Sequence, residues 1–228
     1  SDGKSNIHFA FTDGHPREEN HNSIYYLRYE KGNVFDAAGN KVGDMEHLPI
    51  QQEIIPKAFD GIDKNQRAWI WDIAVNGKNN PVIVYTTLPE ESKHFYNYGY
   101  WNGSEWRNTR LCLAGSAFPH YEKTKEERDP EPHYSGGIVL DHGNPNFVYL
   151  SRPFKDRFEI MKWETIDGGE SFTQHSVTTN SLKDNVRPYV VRNAPAKISP
   201  RVLWMNVNNY RHYSKFNTSI KGNQLAEK

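Results

Sequence analysis

The 228-residue chain has a single cysteine, Cys112, so no disulfide can form within it, and a free thiol or a metal ligand are the roles left to that residue. It also lacks an excess of either charge. With 28 Lys and Arg against 28 Asp and Glu, the basic footprint of a nucleic-acid or anionic-membrane binder is missing, and neither partner is expected. No apolar run approaches the roughly 18 residues of a membrane span. The opening segment, Ser1 to Asn6, is polar rather than signal-like, which leaves a cytoplasmic or an already processed chain. Helical periodicity is nearly missing too: the one polar stretch that could wind, Tyr121 to Asp129, has no apolar stripe and stops at Pro130.

What the chain does have is aromatic residues, at 13%, set in short runs of Val, Ile, Tyr, Phe and Trp between clusters of Gly, Asn, Asp and Pro. That pattern predicts an all-β sandwich, barrel or propeller. Self-comparison decides among them. Pro81 to Trp106 and Asn146 to Phe172 fall into step: an apolar strand, a polar loop, a longer aromatic strand, a Gly-containing turn and a further strand. The same order returns in Ile7 to Phe35 and, more weakly, in Arg201 to Ile220. The spacing of Tyr85, Tyr149 and Trp204 fits one propeller blade plus loops, a blade running about 40–50 residues before insertions. Ahead of the second, third and fourth copies lies one more strand, Ala68 to Val75, Gly136 to Asp141 and Arg187 to Arg192, expected to be the inner strand of each blade and more enclosed than Phe95 to Trp101. The first copy lacks one. The expectation is a single β-propeller of four-stranded antiparallel blades, with about three and a half to four blades spanning approximately 6–60, 66–113, 134–180 and 186–222. Such an incomplete ring implies a larger one, completed by sequence outside this chain or by a second chain; a four-bladed ring is the alternative.

In the third copy, Thr165-Ile166-Asp167-Gly168-Gly169-Glu170-Ser171-Phe172 matches the Asp-box, Ser/Thr-x-Asp-x-Gly-x-Ser/Thr-aromatic, at the turn between the third and fourth strands of its blade. The Asp accepts backbone N–H bonds across the turn, the Gly residues permit positive φ and the aromatic packs between sheets. Tyr100 to Trp106 is a degenerate equivalent.

Together with Phe11 to Gly32, Trp69 to Val75, His133 to Arg152 and Asn185 to Val191, this box resembles the BNR/Asp-box repeat propellers, and within them the seven-bladed branch of ulvan lyases and rhamnose-glucuronate lyases. The chain is similar to the later part of such a protein. The resemblance implies a polysaccharide lyase acting on a uronic-acid-containing polymer, a secreted or periplasmic location, and the missing N-terminal part of the same propeller as a partner. In lyase relatives a His, a Tyr and an Arg carry the reaction. Arg17 is then the carboxylate neutraliser, while the partner His and Tyr would precede Ser1.

Propeller topology sorts the polar residues. His15, Arg17 and His21, then His94, then Arg152 fall in loops that should gather on one face, with the long Cys112 to Tyr134 connection bringing His120, His133 and Tyr134. β-Elimination needs a group that neutralises the carboxylate, a base for the C5 proton and an acid for the leaving O4. Arg17, His15, Tyr134 and Arg152 are the catalytic candidates, with Tyr134 and Arg152 as a substitute pair; His94, His120 and Arg187 are candidates for substrate binding. Arg suits a carboxylate because its planar fork binds two oxygens. Each also has an ordinary reading as a cap, a strand-end ion pair or packing. No cofactor is required. His21, Cys112 and His133 offer zinc chemistry without the close spacing such sites show, and Asp141 to Asn146 offers oxygens for calcium or simply a turn. Two other functions stay open. Arg17, Arg152, Arg187 and Tyr134 imitate a sialidase-type glycoside hydrolase, although the Arg-Ile-Pro start of those enzymes is not in this chain. Phe95, Tyr96, Tyr98, Tyr100 and Trp101 would serve a non-catalytic glycan-binding propeller.

Overall fold

Runs that alternate β-branched or aromatic residues with small or polar ones favour half-buried strands, and the computed structural model forms sixteen of them among the residues it describes. Those residues are 5–90, 92–116, 118, 124, 126–127, 129–193 and 201–223. The first blade holds β1 (Asn6–Thr12), β2 (Ile24–Glu30), β3 (Asn33–Phe35), β4 (Lys41–Asp44) and β5 (Lys57–Phe59). The second is β6 (Arg67–Val75), β7 (Pro81–Glu90), β8 (Lys93–Trp101) and β9 (Trp106–Gly115), paired in that order. The third is β10 (Ile138–Leu140), β11 (Phe147–Phe154), β12 (Arg157–Glu164) and β13 (Thr173–Ser176), again in order, and the fourth is β14 (Asp184–Val190), β15 (Val202–His212) and β16 (Lys215–Gly222). All ladders are antiparallel, and the fold is all-β with propeller blades.

The first blade shows why its outer edge is irregular. β3 pairs the far half of β2 and β5 pairs its near half, at Ile24 and Tyr25, so two short strands share one edge while β4 and its turns project as an insertion. The Lys31-Gly32 turn has positive φ at both residues (47° and 82°), the geometry of a tight hairpin. The loop between β1 and β2 lies at the same end as the start of β6: Asn22 donates from Nδ2 to the Ala68 carbonyl (2.8 Å) and bridges Arg67 in parallel. β1 therefore runs in the direction of β7 and β11, the second strands of their blades, as the repeat register predicts.

Successive blades pack face to face. Val82, Val84, Tyr96 and Tyr98 of the second blade meet Ile138, Leu140, Val148, Leu150 and Trp163 of the third in one buried cluster. Each such side chain contributes about 1.5–3 kcal/mol by leaving water. The tyrosine hydroxyls add polar ties: Tyr96 donates to the Ser151 carbonyl (2.8 Å) and accepts from Gly137 N (2.7 Å). The inner strands touch their neighbours in turn, β6 with β1 and β10, and β10 with β14. Asp72, at a bulge in β6, accepts from His142 Nε2 (3.0 Å), from Arg192 (3.3 Å) and from Leu140 N (3.1 Å), which fastens three of these blades at the centre. β6 is only half-buried and more open than β8, the reverse of expectation. The pairing order nonetheless makes it the inner strand, and an inner strand that borders a central space has one face without a neighbouring sheet.

The Asp-box does what its chemistry dictates. Asp167 accepts from Glu170 N (2.9 Å), Ser171 N (3.0 Å), Thr165 Oγ1 (2.7 Å) and Ser171 Oγ (2.6 Å). Phe172 packs on Tyr98 and Trp163, and Thr109 of β9 donates to the Gly169 carbonyl (2.6 Å), so the box also clips the third blade to the second. Bonds from Ser171 and Thr165 hold the Asp167 carboxyl well below its ordinary value of 3.8. A depressed carboxyl stabilises the fold above that value and loses its contribution as pH falls through the folded pKa. Asp167→Asn is thus expected to lower the melting temperature at neutral pH, with the gap to wild type closing in strongly acidic buffer; a gap that persists unchanged at low pH contradicts this.

Candidate functional site

One end of the blades gathers the β1–β2 loop, the starts of β6 and β8 and the segment leading into β10. At its centre is the Phe118 ring. The guanidinium of Arg17 and that of Arg67 each lie 5.3 Å from its centroid, and the rings of His94 and Tyr134 meet its edges at 6.0 and 5.8 Å. The negative face of an aromatic ring is the reason two like charges are tolerated so close together. Arg67 also donates to the Pro16 carbonyl (3.2 Å) and has no carboxylate partner among the described residues. Beside them the His15 ring tilts on Trp69 at 4.8 Å, and its Nδ1 accepts the backbone N–H of Arg17 (3.1 Å). Partial burial, and then the Arg17 charge, push the His15 pKa below 6.5. Neutral His15 therefore carries its proton on Nε2 and offers a donor at the rim.

The other expected site residues sort into supports and outsiders. His94 starts β8 rather than lying in a loop and is fully buried; its Nδ1–H donates to the Tyr134 carbonyl (2.8 Å), so it shapes the rim from below and cannot touch a substrate. Tyr134 is held by the same contact. Burial raises its hydroxyl above 10, against a bond to Thr86 and the charges of Arg187 and Arg17, which removes it as a base at neutral pH. Arg187 lies inside β14, at φ +56°, with its guanidinium given to the Ser135 carbonyl (2.6 Å), Glu131 (3.3 Å) and the Trp71 ring (5.0 Å). It fixes the segment that carries Tyr134 instead of binding substrate. Arg152 is in β11 with its charge near the Cys112 thiol, and among the described residues no hydrogen bond or ring contact joins it to Tyr134, Arg17 or Arg187. His120 lies outside the described residues.

The three proposed zinc ligands are likewise apart. His21 bonds Asn65 (2.8 Å) and His133 stacks on Phe158, while Cys112 lies in β9 rather than in the long connection, with its thiol pushed up to about 12 by burial. No group of three or more metal-ligating side chains occurs among the described residues. For calcium, the Asp141 carboxylate already receives Arg201 at 2.6–2.7 Å and Gly143 N at 2.9 Å, so Asp141 to Asn146 is a turn built on an ion pair.

Sequence reasoning missed Arg67, Trp69 and Phe118. Arg67 occupies the start of the inner strand β6, where a side chain borders the central space, and that position is the signal that finds it. Phe118 had none, since nothing in a lone aromatic within a long polar connection marks it as a platform.

The rim's pH response follows from the Nδ1 contact. Protonating His15 replaces an acceptor with a donor facing the Arg17 N–H, so a ligand seated at Arg17 is expected to bind more weakly as pH falls through a value below 6.5. His15→Asn retains an acceptor for that N–H without titrating. A pH titration of binding that declines identically in His15→Asn overturns this assignment.

Residues 1–112 match the family described as BNR repeat-containing family member. No curated protein matches the chain. Among solved structures the chain is similar to a polysaccharide lyase of a new family, the PL25 ulvan lyase, and to the same kind of enzyme bound to -[GlcA(1-4)Rha3S]-; each has a TM-score of 0.58 at 12% identity. The alignments cover 96% of this chain and 52% of those, so the chain spans about half the length of the structures it matches. With BNR-repeat similarity over residues 1–112 and four-stranded antiparallel blades among the described residues, the fold of the chain is that of a β-propeller.

Proposed function

We propose that the rim binds a uronate of an acidic polysaccharide and that the protein is a polysaccharide lyase. The observation that carries this is the pair of guanidiniums, Arg17 and Arg67, flanking Phe118 beside the neutral Nε2–H of His15. In β-elimination a base takes the C5 proton, the C4–O4 bond breaks as its electrons leave with O4, and a C4=C5 double bond forms. Neutralising the C6 carboxylate makes C5 acidic enough for that step. Arg17 and Arg67 supply the neutralising charges and His15 a further donor. No described rim side chain is set up as the base, because Tyr134 is held protonated and His15 Nδ1 is engaged. The base then belongs to residues outside those described, in keeping with a ring that this chain completes only in part and with its coverage of 52% of the matched chains. A polymeric substrate of this kind fits a secreted or periplasmic protein.

The missing base also favours a second reading, a glycan-binding propeller without turnover. Incubating the intact protein with uronic-acid polysaccharide separates them. The lyase gives an unsaturated uronate that absorbs in the near ultraviolet; a new reducing end without that absorbance means hydrolysis, and binding with no product means a lectin.

A further inference from the structure

A second feature lies away from the rim, on the outer wall between the first and second blades. It is a cleft of about 580 Å³ that runs from the turn between β8 and β9 up to the loop after β5. Its walls have a simple origin. β5 fills only the near half of the first blade's outer edge, so β9 faces a shortened neighbour and a groove is left beside it. Deep in the groove the polar groups are satisfied: Tyr85 donates to Asn108 Oδ1 (2.8 Å), and Asn108 donates to the Ala58 carbonyl (2.9 Å). At its mouth they are not. The Arg110 guanidinium lies 4.3 Å over the Phe95 ring and has no hydrogen-bond or ion-pair partner among the described residues. The side-chain amide of Gln66 and the indole N–H of Trp106 are also without hydrogen-bond partners among the described residues. Trp106 is half-buried, with its ring braced edge-on by Trp101 (5.8 Å) and Tyr26 (5.9 Å). The lysines of the wall are neutralised, Lys57 by Asp60 (2.9 Å) and Lys64 by Asp63 (2.8 Å), which leaves Arg110 as the lining cation with no carboxylate partner among the described residues.

We propose that this groove is a second saccharide-binding site, one that takes an anionic sugar unit through Arg110 and Gln66 while Trp106 presents the rigid apolar surface on which a pyranose face stacks. A cleft that joins a braced aromatic to a few unspent donors is the usual make-up of a small-ligand site, and a planar guanidinium already stacked on a ring is preorganised for a carboxylate or sulfate. The groove extends the function proposed above to a second contact with the same class of polymer, yet it does not need the rim to be catalytic. Both sites border the loop of residues 60–66: Gln66 lines the groove, and its carbonyl accepts Asn22 N (3.2 Å) at the edge of the rim loop.

Calorimetric titration of the intact protein with an oligogalacturonate, and with a neutral maltooligosaccharide of equal length, tests it. Two binding events are expected for the acidic sugar and none of comparable strength for the neutral one. Arg110→Gln should weaken one event roughly tenfold or more, the scale of a lost charge-assisted pair, and leave the other untouched. Arg17→Ala should remove the other alone, so the failure of either site is visible without the other. Trp106→Ala perturbs packing against Tyr26 and is accompanied by a melting curve; Gln66→Ala, which leaves the aromatic packing in place, should weaken the same event as Arg110→Gln. One or two events that all ignore Arg110→Gln and Gln66→Ala overturn the proposal, whereas a single event that both variants weaken upholds the groove and removes the rim site instead. Equal binding of the neutral sugar at the groove overturns its anionic character.

Discussion

Arg17→Lys is expected to lower kcat/KM on a uronate polysaccharide by about a hundredfold or more, although the charge is kept. Removal of one preorganised donor to a developing anion costs about 10²–10³ in rate, and the ammonium of Lys is a hydrated point charge that cannot reproduce a planar fork seated over Phe118. The geometry adds a second reason. Arg17 and Arg67 are both seated on that ring at 5.3 Å, and a lysine in place of one leaves its partner to hold the carboxylate alone. Arg28 is the control: it pairs with Glu30 (3.1 Å) and covers Phe35 in the first blade, so Arg28→Lys should leave turnover near wild type. The measurement is initial rate by unsaturated-product absorbance on the intact protein. Full activity in Arg17→Lys removes Arg17 from the chemistry.

Gly115→Ala should damage both the fold and the rim. A Cβ at Gly115 would stand 2.2 Å from the Tyr134 carbonyl oxygen and 2.3 Å from that of His133, and both obstacles are backbone. They are also fixed: Ser116 N donates to the His133 carbonyl (2.7 Å), His94 holds the Tyr134 carbonyl, and Arg187 holds Ser135 and Glu131. Overpacking of this kind costs about 1–3 kcal/mol, a fall in Tm of roughly 2–12 °C for a chain of this size. The segment must move away from β9 and take Tyr134 and the edge of Phe118 with it, so acidic-saccharide binding at the rim should fall along with stability. Ser116→Ala, at the exposed next position, should do neither. Calorimetric melting and the same titration of both variants check this; an unchanged Tm in Gly115→Ala would show that the close approach is not obligatory.

The blades were legible because their physics is local. Alternation set the strands, and the order of apolar strand, loop, aromatic strand and Gly turn set the register that the pairing of β6 to β9 and of β10 to β13 reproduces. The Asp-box was legible because a carboxylate, two glycines and an aromatic at fixed spacing allow few other turns. The site was legible as a face and not as roles. His94 and Arg187 are at the right end of the molecule, but whether a histidine points up at solvent or down beneath Tyr134 depends on where Phe118 and Tyr134 come to lie against it, a long-range matter no local pattern encodes. The divided outer edge of the first blade escaped for the same reason: β5 returns to β2 after a hairpin insertion, and that pairing is set by the vacancy beside Ile24 rather than by the three residues Lys57–Phe59 themselves.

A crystal structure of the intact protein with a bound uronate oligosaccharide decides whether a uronate carboxylate is seated at Arg17 and Arg67. The expected result is one carboxylate within hydrogen-bond distance of both guanidiniums, with His15 Nε2 donating to the same sugar and the sugar lying over the Phe118 end of the blades. A saccharide bound elsewhere at full occupancy, with the Arg17 and Arg67 side chains still on Phe118 and touching no part of it, would contradict that seating.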